Sequence, residues 1–172
     1  MLTPTRRAGQ AALLVVALLG ATACADAVAS SPLETAYGSP QALAEAAVAA
    51  LVAQDEPALA ALAVGREEYE ALLWPELPDA EHVTFDFVWG MSQPRTRKAR
   101  RNQLRDYEDV PLEVVRVELG GEAEVYESFT LHKDCQLIVR NGDTGQEGRI
   151  PLMDVLVEMD GGWKFLNFRD DL

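Results

Sequence analysis

The sequence predicts an α+β domain in which N-terminal helices pack on an antiparallel sheet of four to five strands. Three observations carry this. Apolar residues recur at helical spacing through residues 40–52 and again in the segments up to residue 107. After residue 110 the period falls to two, as in strands with one buried face. Glycine-rich turn signals at Gly120-Gly121, Asn141-Gly142 and Asp160-Gly161-Gly162 divide that second half at hairpin intervals.

Ser39-Pro40 opens the first helix, with Ser as N-cap and Pro in the first turn. Leu43, Ala47, Ala50 and Leu51 fall on one face, and Val48 and Val52 widen it. Gln54-Asp55 ends it. Asp55-Glu56-Pro57 restarts a short helix that runs to Leu62. A third helix spans about Arg66 to Trp74 and stops before Pro75. Residues 75–83 read as a loop. Phe85, Phe87, Val88 and Trp89 are expected as a mostly buried aromatic cluster, followed by a polar helix from about Pro94 to Tyr107.

In the second half Val115, Val117 and Leu119 alternate with Arg116 and Glu118. Gly120-Gly121 predicts a two-residue hairpin turn. The return strand alternates Val125, Phe129 and Leu131 against Tyr126, Ser128, Thr130 and His132. A strand from Cys135 to Arg140 ends at the Asn141-Gly142 turn. A long strand then covers about Arg149 to Met159, with Pro151 marking an edge or a bulge. Asp160-Gly161-Gly162 leads into the last strand, Trp163 to Phe168.

Two features resemble the nuclear-transport-factor-2-like superfamily of cystatin-like α+β cones. One is the closing Met159-Asp160-Gly161-Gly162-Trp163-Lys164-Phe165 hairpin. The other is the helix-loop-helix from Ala47 to Leu62 with its acidic turn. The resemblance covers about residues 39–170. It implies a curved sheet wrapped around a long first helix, with a conical cavity between them. Polyketide cyclases, ketosteroid isomerases, dehydratases and non-catalytic exported proteins share that architecture, so it does not select a function.

The N-terminus carries a different signal. Arg6 and Arg7 precede an apolar run from Ala11 to Leu19, and small residues follow up to Cys24. This is the layout of an export signal over residues 1–23. The run is about half the roughly 20 residues that a membrane-spanning helix needs. Ala21-Thr22-Ala23-Cys24 resembles the bacterial lipobox, which implies lipidation of Cys24 and anchoring in a membrane of the cell envelope. Position −3 is Ala21, where that motif prefers Leu. Ala25 at the next position implies the outer membrane where the organism has one. Ordinary secretion is the alternative, because Ala21-Thr22-Ala23 and Ala23-Cys24-Ala25 also fit small-x-small cleavage. Residues 24–38 read as a flexible tether and residues 39–172 as one domain.

The removed segment holds two Arg and no acid. The mature chain therefore sets 13 cations against 28 carboxylates, a net charge of −15. So acidic a surface argues against nucleic acid as a partner. With Cys24 lipidated, Cys135 has no disulfide partner and is expected as a buried, inert thiol.

Six cations crowd into residues 95–105: Arg95, Arg97, Lys98, Arg100, Arg101 and Arg105. They form a candidate patch for an anionic ligand, a lipid headgroup or an acidic partner. The competing reading is a solvated helix face, since at roughly 100° per residue the six spread around most of the circumference. Enzymatic members of the superfamily place an acid or base inside the cone. Candidates for that role are Asp86, His82, Tyr126, His132 and Asp154, with Asp86 expected among Phe85, Phe87 and Trp89 where burial would raise its pKa. His132 and Cys135 have metal-like spacing, but zinc needs three or four ligands and the other His is 50 residues away. No metal or cofactor is expected. The sequence therefore points to an envelope lipoprotein with a non-catalytic domain. Its expected partners are a small apolar ligand, another envelope protein or a second copy of the chain. An isomerase- or hydrolase-type enzyme is the alternative.

Overall fold

In the computed structural model, which describes residues 31–168, Ser39 caps the first helix as its sequence predicts. Its Oγ accepts a hydrogen bond from Ala42 N at 3.1 Å. Helix α1 (Pro40–Val52) buries Leu43, Ala44, Ala47, Val48, Ala50 and Leu51. Asp55 caps α2 (Glu56–Ala61) in the same way, accepting from Ala58 N at 2.9 Å. A short α3 (Arg66–Glu68) passes into a π-helical turn, Tyr69–Leu73. Two 3-10 turns follow, Trp74–Glu76 and Pro78–Glu81, in the stretch expected as loop.

Helix α4 (Phe85–Asp106) starts nine residues earlier than Pro94, where the sequence places its beginning. Pro94 lies inside it. Phe85, Thr96, Ala99 and Gln103 are buried at helical spacing along one side. Burying that side outweighs the roughly 3 kcal/mol that an interior proline costs a helix.

Seven strands form two antiparallel sheets rather than one sheet of four to five strands. The three-stranded sheet has the order β1 (Leu112–Glu118), β4 (Gln136–Asn141), β5 (Glu147–Ile150). The four-stranded sheet has the order β2 (Glu124–Val125), β3 (Thr130–His132), β6 (Leu156–Met159), β7 (Gly162–Phe165). The division has a simple origin. The chain makes three long excursions, residues 112–125, 130–141 and 147–159, and each breaks at the same level. Gly120 sits against the main chain of Asp134, and Pro151 interrupts the third excursion. Cys135 N donates to Asp154 O at 3.1 Å across the break.

Strand β1 therefore pairs with β4, not with β2, and Gly120-Gly121 is a crossing point instead of a hairpin turn. The hairpin lies further on, at Tyr126–Phe129, where Tyr126 N donates to Phe129 O at 2.9 Å. Glu76 secures it by accepting from Glu127 N at 2.7 Å, Ser128 N at 3.2 Å and Ser128 Oγ at 2.5 Å. These bonds, that of the hydroxyl foremost, hold the Glu76 carboxyl below the usual range. Val125 is 78% exposed, not part of the buried alternation. The Asn141 and Asp160-Gly161 turns form where expected. Asn141 Oδ1 accepts from Asp143 N and Thr144 N, and Asp160 and Gly161 take positive φ.

Residues 31–38 correct the expectation of a tether. Leu33 and Ala36 are buried. Tyr37 exchanges main-chain hydrogen bonds with Trp163 at 3.1 and 2.8 Å, and Leu62 and Val64 do the same with Phe165 at 3.0 and 2.8 Å. Together they cover the outer edge of β7, whose backbone donors and acceptors would otherwise be unpaired. The export signal, Cys24 and the tether up to residue 30 lie outside the described residues.

The four-stranded sheet is apolar on both faces. Leu156, Trp163 and Phe165 join a core with α1, α2, Ala99 of α4 and the three-stranded sheet. Leu131, Val157 and Met159 face a second cluster with Leu33, Val64, Leu73 and Phe129.

Candidate functional site

The inward side of α4 is fixed by Phe85, Thr96, Ala99 and Gln103, and this decides what its other side presents. Arg95, Arg97, Lys98, Arg101 and Arg105 are all exposed. At roughly 100° per residue these five fall within about 160° of one another. The sixth cation accounts for the wider spread seen in the sequence. Arg100 turns inward at 13% side-chain exposure, with Nη2 3.6 Å from Glu56 and the guanidinium 5.8 Å from the Phe168 ring centre. Arg105 pairs with Asp106 at 2.8 Å. Among the described residues no ion pair engages Arg95, Arg97 or Arg101.

The same outer side continues into apolar groups toward the helix start. Phe87 is 60% and Met91 56% exposed, and Val83 just before the helix is 39% exposed. Only Phe85 of the expected aromatic cluster is buried. Its ring, with Tyr69, Trp74 and Trp89, forms a half-buried group with centroids 5.8 to 6.4 Å apart. The sequence expectation missed Phe87 and Met91 because it started the helix at Pro94. Helical spacing of Phe85, Trp89, Thr96, Ala99 and Gln103 was the available signal.

The candidate acids and bases do not share one site. Asp86 is 80% exposed and pairs with Arg66, whose guanidinium also lies 4.9 Å from the Phe85 ring centre. The burial expected for it is absent, because its side of α4 faces water and not the aromatic group. His82 is exposed beside Phe87, in an open hollow of about 540 Å³. Tyr126 stacks on Phe129 with centroids 4.6 Å apart and donates to Glu124 at 3.3 Å. Burial, then the nearby Glu124 charge, pushes its phenol up. Tyr126 packs on the cluster with Leu131 and Val157. His132 is on the opposite face, its ring 4.7 Å from that of Trp163 and its Nε2 3.0 Å from Glu158. Asp154 is half-buried at the sheet break.

Cys135 is buried as a free thiol, pushed up by that burial. Its Sγ lies 3.1 Å from the backbone oxygen of His132, while the imidazole points to Glu158. Among the described residues no group of three His, Cys, Asp or Glu side chains is placed to hold a metal ion. No described helix is long and apolar enough to cross a membrane.

A shallow apolar groove of about 440 Å³ runs between α1 and β1, lined by Val48, Val52, Leu112 and Val114 with Glu45 at its rim. No protein-family model, curated protein or solved structure matches the chain.

Proposed function

We propose that this chain is an exported envelope lipoprotein whose folded domain is a non-catalytic interaction module. The observation that carries the interaction role is the outer side of α4, where exposed apolar side chains run into exposed arginines along one helix. Exposed apolar side chains that adjoin exposed cations on one helix side suit a partner surface. The candidate acids and bases stand apart from one another, so they assemble no shared site of the kind that supports the enzyme alternative. The export signal and the Ala21-Thr22-Ala23-Cys24 motif support the envelope location and the lipid on Cys24. The helix-first order and the closing Asp160-Gly161 hairpin support a distant likeness to the nuclear-transport-factor-2-like superfamily.

The groove between α1 and β1 favours a second reading, a small apolar ligand, because Val52 at its rim is 49% exposed. Titration with a fluorescent fatty acid tests it, and quenching lost on Val52→Glu supports it.

Intact mass of the mature protein from membranes tests the lipid. A chain beginning at Cys24 with a diacylglyceryl mass supports the reading. A mature chain that begins at Cys24 with no added mass removes it.

A further inference from the structure

We infer that the outer side of α4 docks on an anionic phospholipid surface, with Phe87 and Met91 at the headgroup boundary and Arg95, Arg97 and Arg101 on lipid phosphates. The inference rests on the reading of this domain as an interaction module and names the partner of that module.

The helix side is convex, so it offers no concavity in which a small anion or metabolite is enclosed. An extended surface suits it better. From Phe87 to Arg105 the stripe is about 27 Å long at 1.5 Å per residue. Its apolar groups, Phe87 and Met91, lie at one end and its arginines at the other. Exposed Phe87 and Met91 suit the boundary between headgroups and acyl chains. Exposed guanidinium groups bind phosphate through paired N–H donors.

Charge complementarity also sets the orientation. Six cations lie within Arg95–Arg105, so subtracting them from the formal net charge of −13 leaves −19 on the rest of the chain. An anionic bilayer repels that remainder and attracts this one helix. The domain would therefore face the membrane with α4 and keep its acidic body away. Arg95, Arg97 and Arg101 are the cations available for this, since Arg100 is held by Glu56 and Arg105 by Asp106.

The test compares two full-length chains, Cys24→Ser and Cys24→Ser with Arg95→Gln, Arg97→Gln and Arg101→Gln. Both carry the same leader, so its own membrane affinity cancels. The probe is flotation with vesicles of phosphatidylglycerol and phosphatidylcholine in equal parts, against vesicles of phosphatidylcholine alone. The expected result is that the triple replacement lowers partitioning onto the anionic vesicles by about 100-fold. High salt has the same effect, and partitioning onto phosphatidylcholine is unchanged. Phe87→Ser with Met91→Ser is expected to weaken binding to the anionic vesicles while the arginines remain. Equal flotation of the two chains on anionic vesicles overturns the inference. So does a triple replacement that dissolves a dimer in sedimentation and leaves flotation intact, which would make a second copy the partner. Failure here with lipid confirmed on Cys24 removes the docking surface alone. Success with no lipid on Cys24 removes the anchor alone.

Discussion

Lys164 Nζ lies 2.9 Å from Glu68 Oε2, with the two side chains only 3% and 11% exposed. The pair joins three segments. Lys164 also donates to Glu34 O at 2.8 Å, and Glu68 accepts from Glu34 N and Gly65 N, each at 2.6 Å. The last strand, the start of α3 and the segment ahead of α1 meet at this one carboxylate. Removing one member leaves an uncompensated buried charge, which is far worse than removing both. Glu68→Ala is expected to destabilise the domain by about 3–5 kcal/mol. Lys164→Met combined with Glu68→Leu is expected to lose clearly less. Urea midpoints of the two variants check the order.

Leu33 is 4% exposed and packs with Leu73, Phe129 and Met159. Leu33→Ala is expected to cost about 2–4 kcal/mol, as for other core leucines. A flexible tether at this position would leave the thermal midpoint unchanged, so the melting curve separates the two descriptions.

Pro94 has no N–H to give to the carbonyl of Gly90 one turn earlier in α4. Its side chain is exposed, so no packing compensates within the site. Pro94→Ala is expected to stabilise the domain by about 1–3 kcal/mol. Thermal unfolding followed by circular dichroism measures it.

Asp86 and Arg66 form an exposed pair, with side chains 80% and 47% exposed. Such pairs contribute little. Asp86→Asn is expected to change stability by less than about 1 kcal/mol. A larger loss in chemical denaturation would show that the carboxylate holds more of the structure than this one contact.

Burial raises the Cys135 thiol above the ordinary value of about 8.5. The folded state therefore favours the protonated form. Its contribution is fully present below the unfolded value and is lost as pH rises through the folded one. Stability is expected to fall as pH rises above about 8.5, and Cys135→Ala is expected to flatten that fall. Urea midpoints across this range check the slope difference.

Much of this architecture is legible locally. Ser39 and Asp55 each reach the N–H three residues ahead, so their caps need nothing beyond the adjoining turn. Asp160-Gly161 is readable for the same reason, since its positive φ angles are a property of two residues. Phe85–Trp89 is not. Whether an aromatic residue in that stretch is buried depends on the rotation of α4, and the rotation is set by Ala99 and Gln103 further along the helix. Gly120-Gly121 is misleading for a related reason. A glycine pair marks a hairpin turn and a close backbone approach equally well, and here Gly120 meets the main chain of Asp134.

By itself the sequence determined the α+β class, the helix-first order, two caps and two of the turns. These follow from interactions among residues a few positions apart. Only the tertiary structure decided that three long excursions break at one level into two sheets. It also decided that residues 31–38 cover the edge of β7 and that five cations share the outer side of α4. The physical reason is common to all three. Each depends on which surface lies opposite, and periodicity reports that a face is buried without naming what buries it.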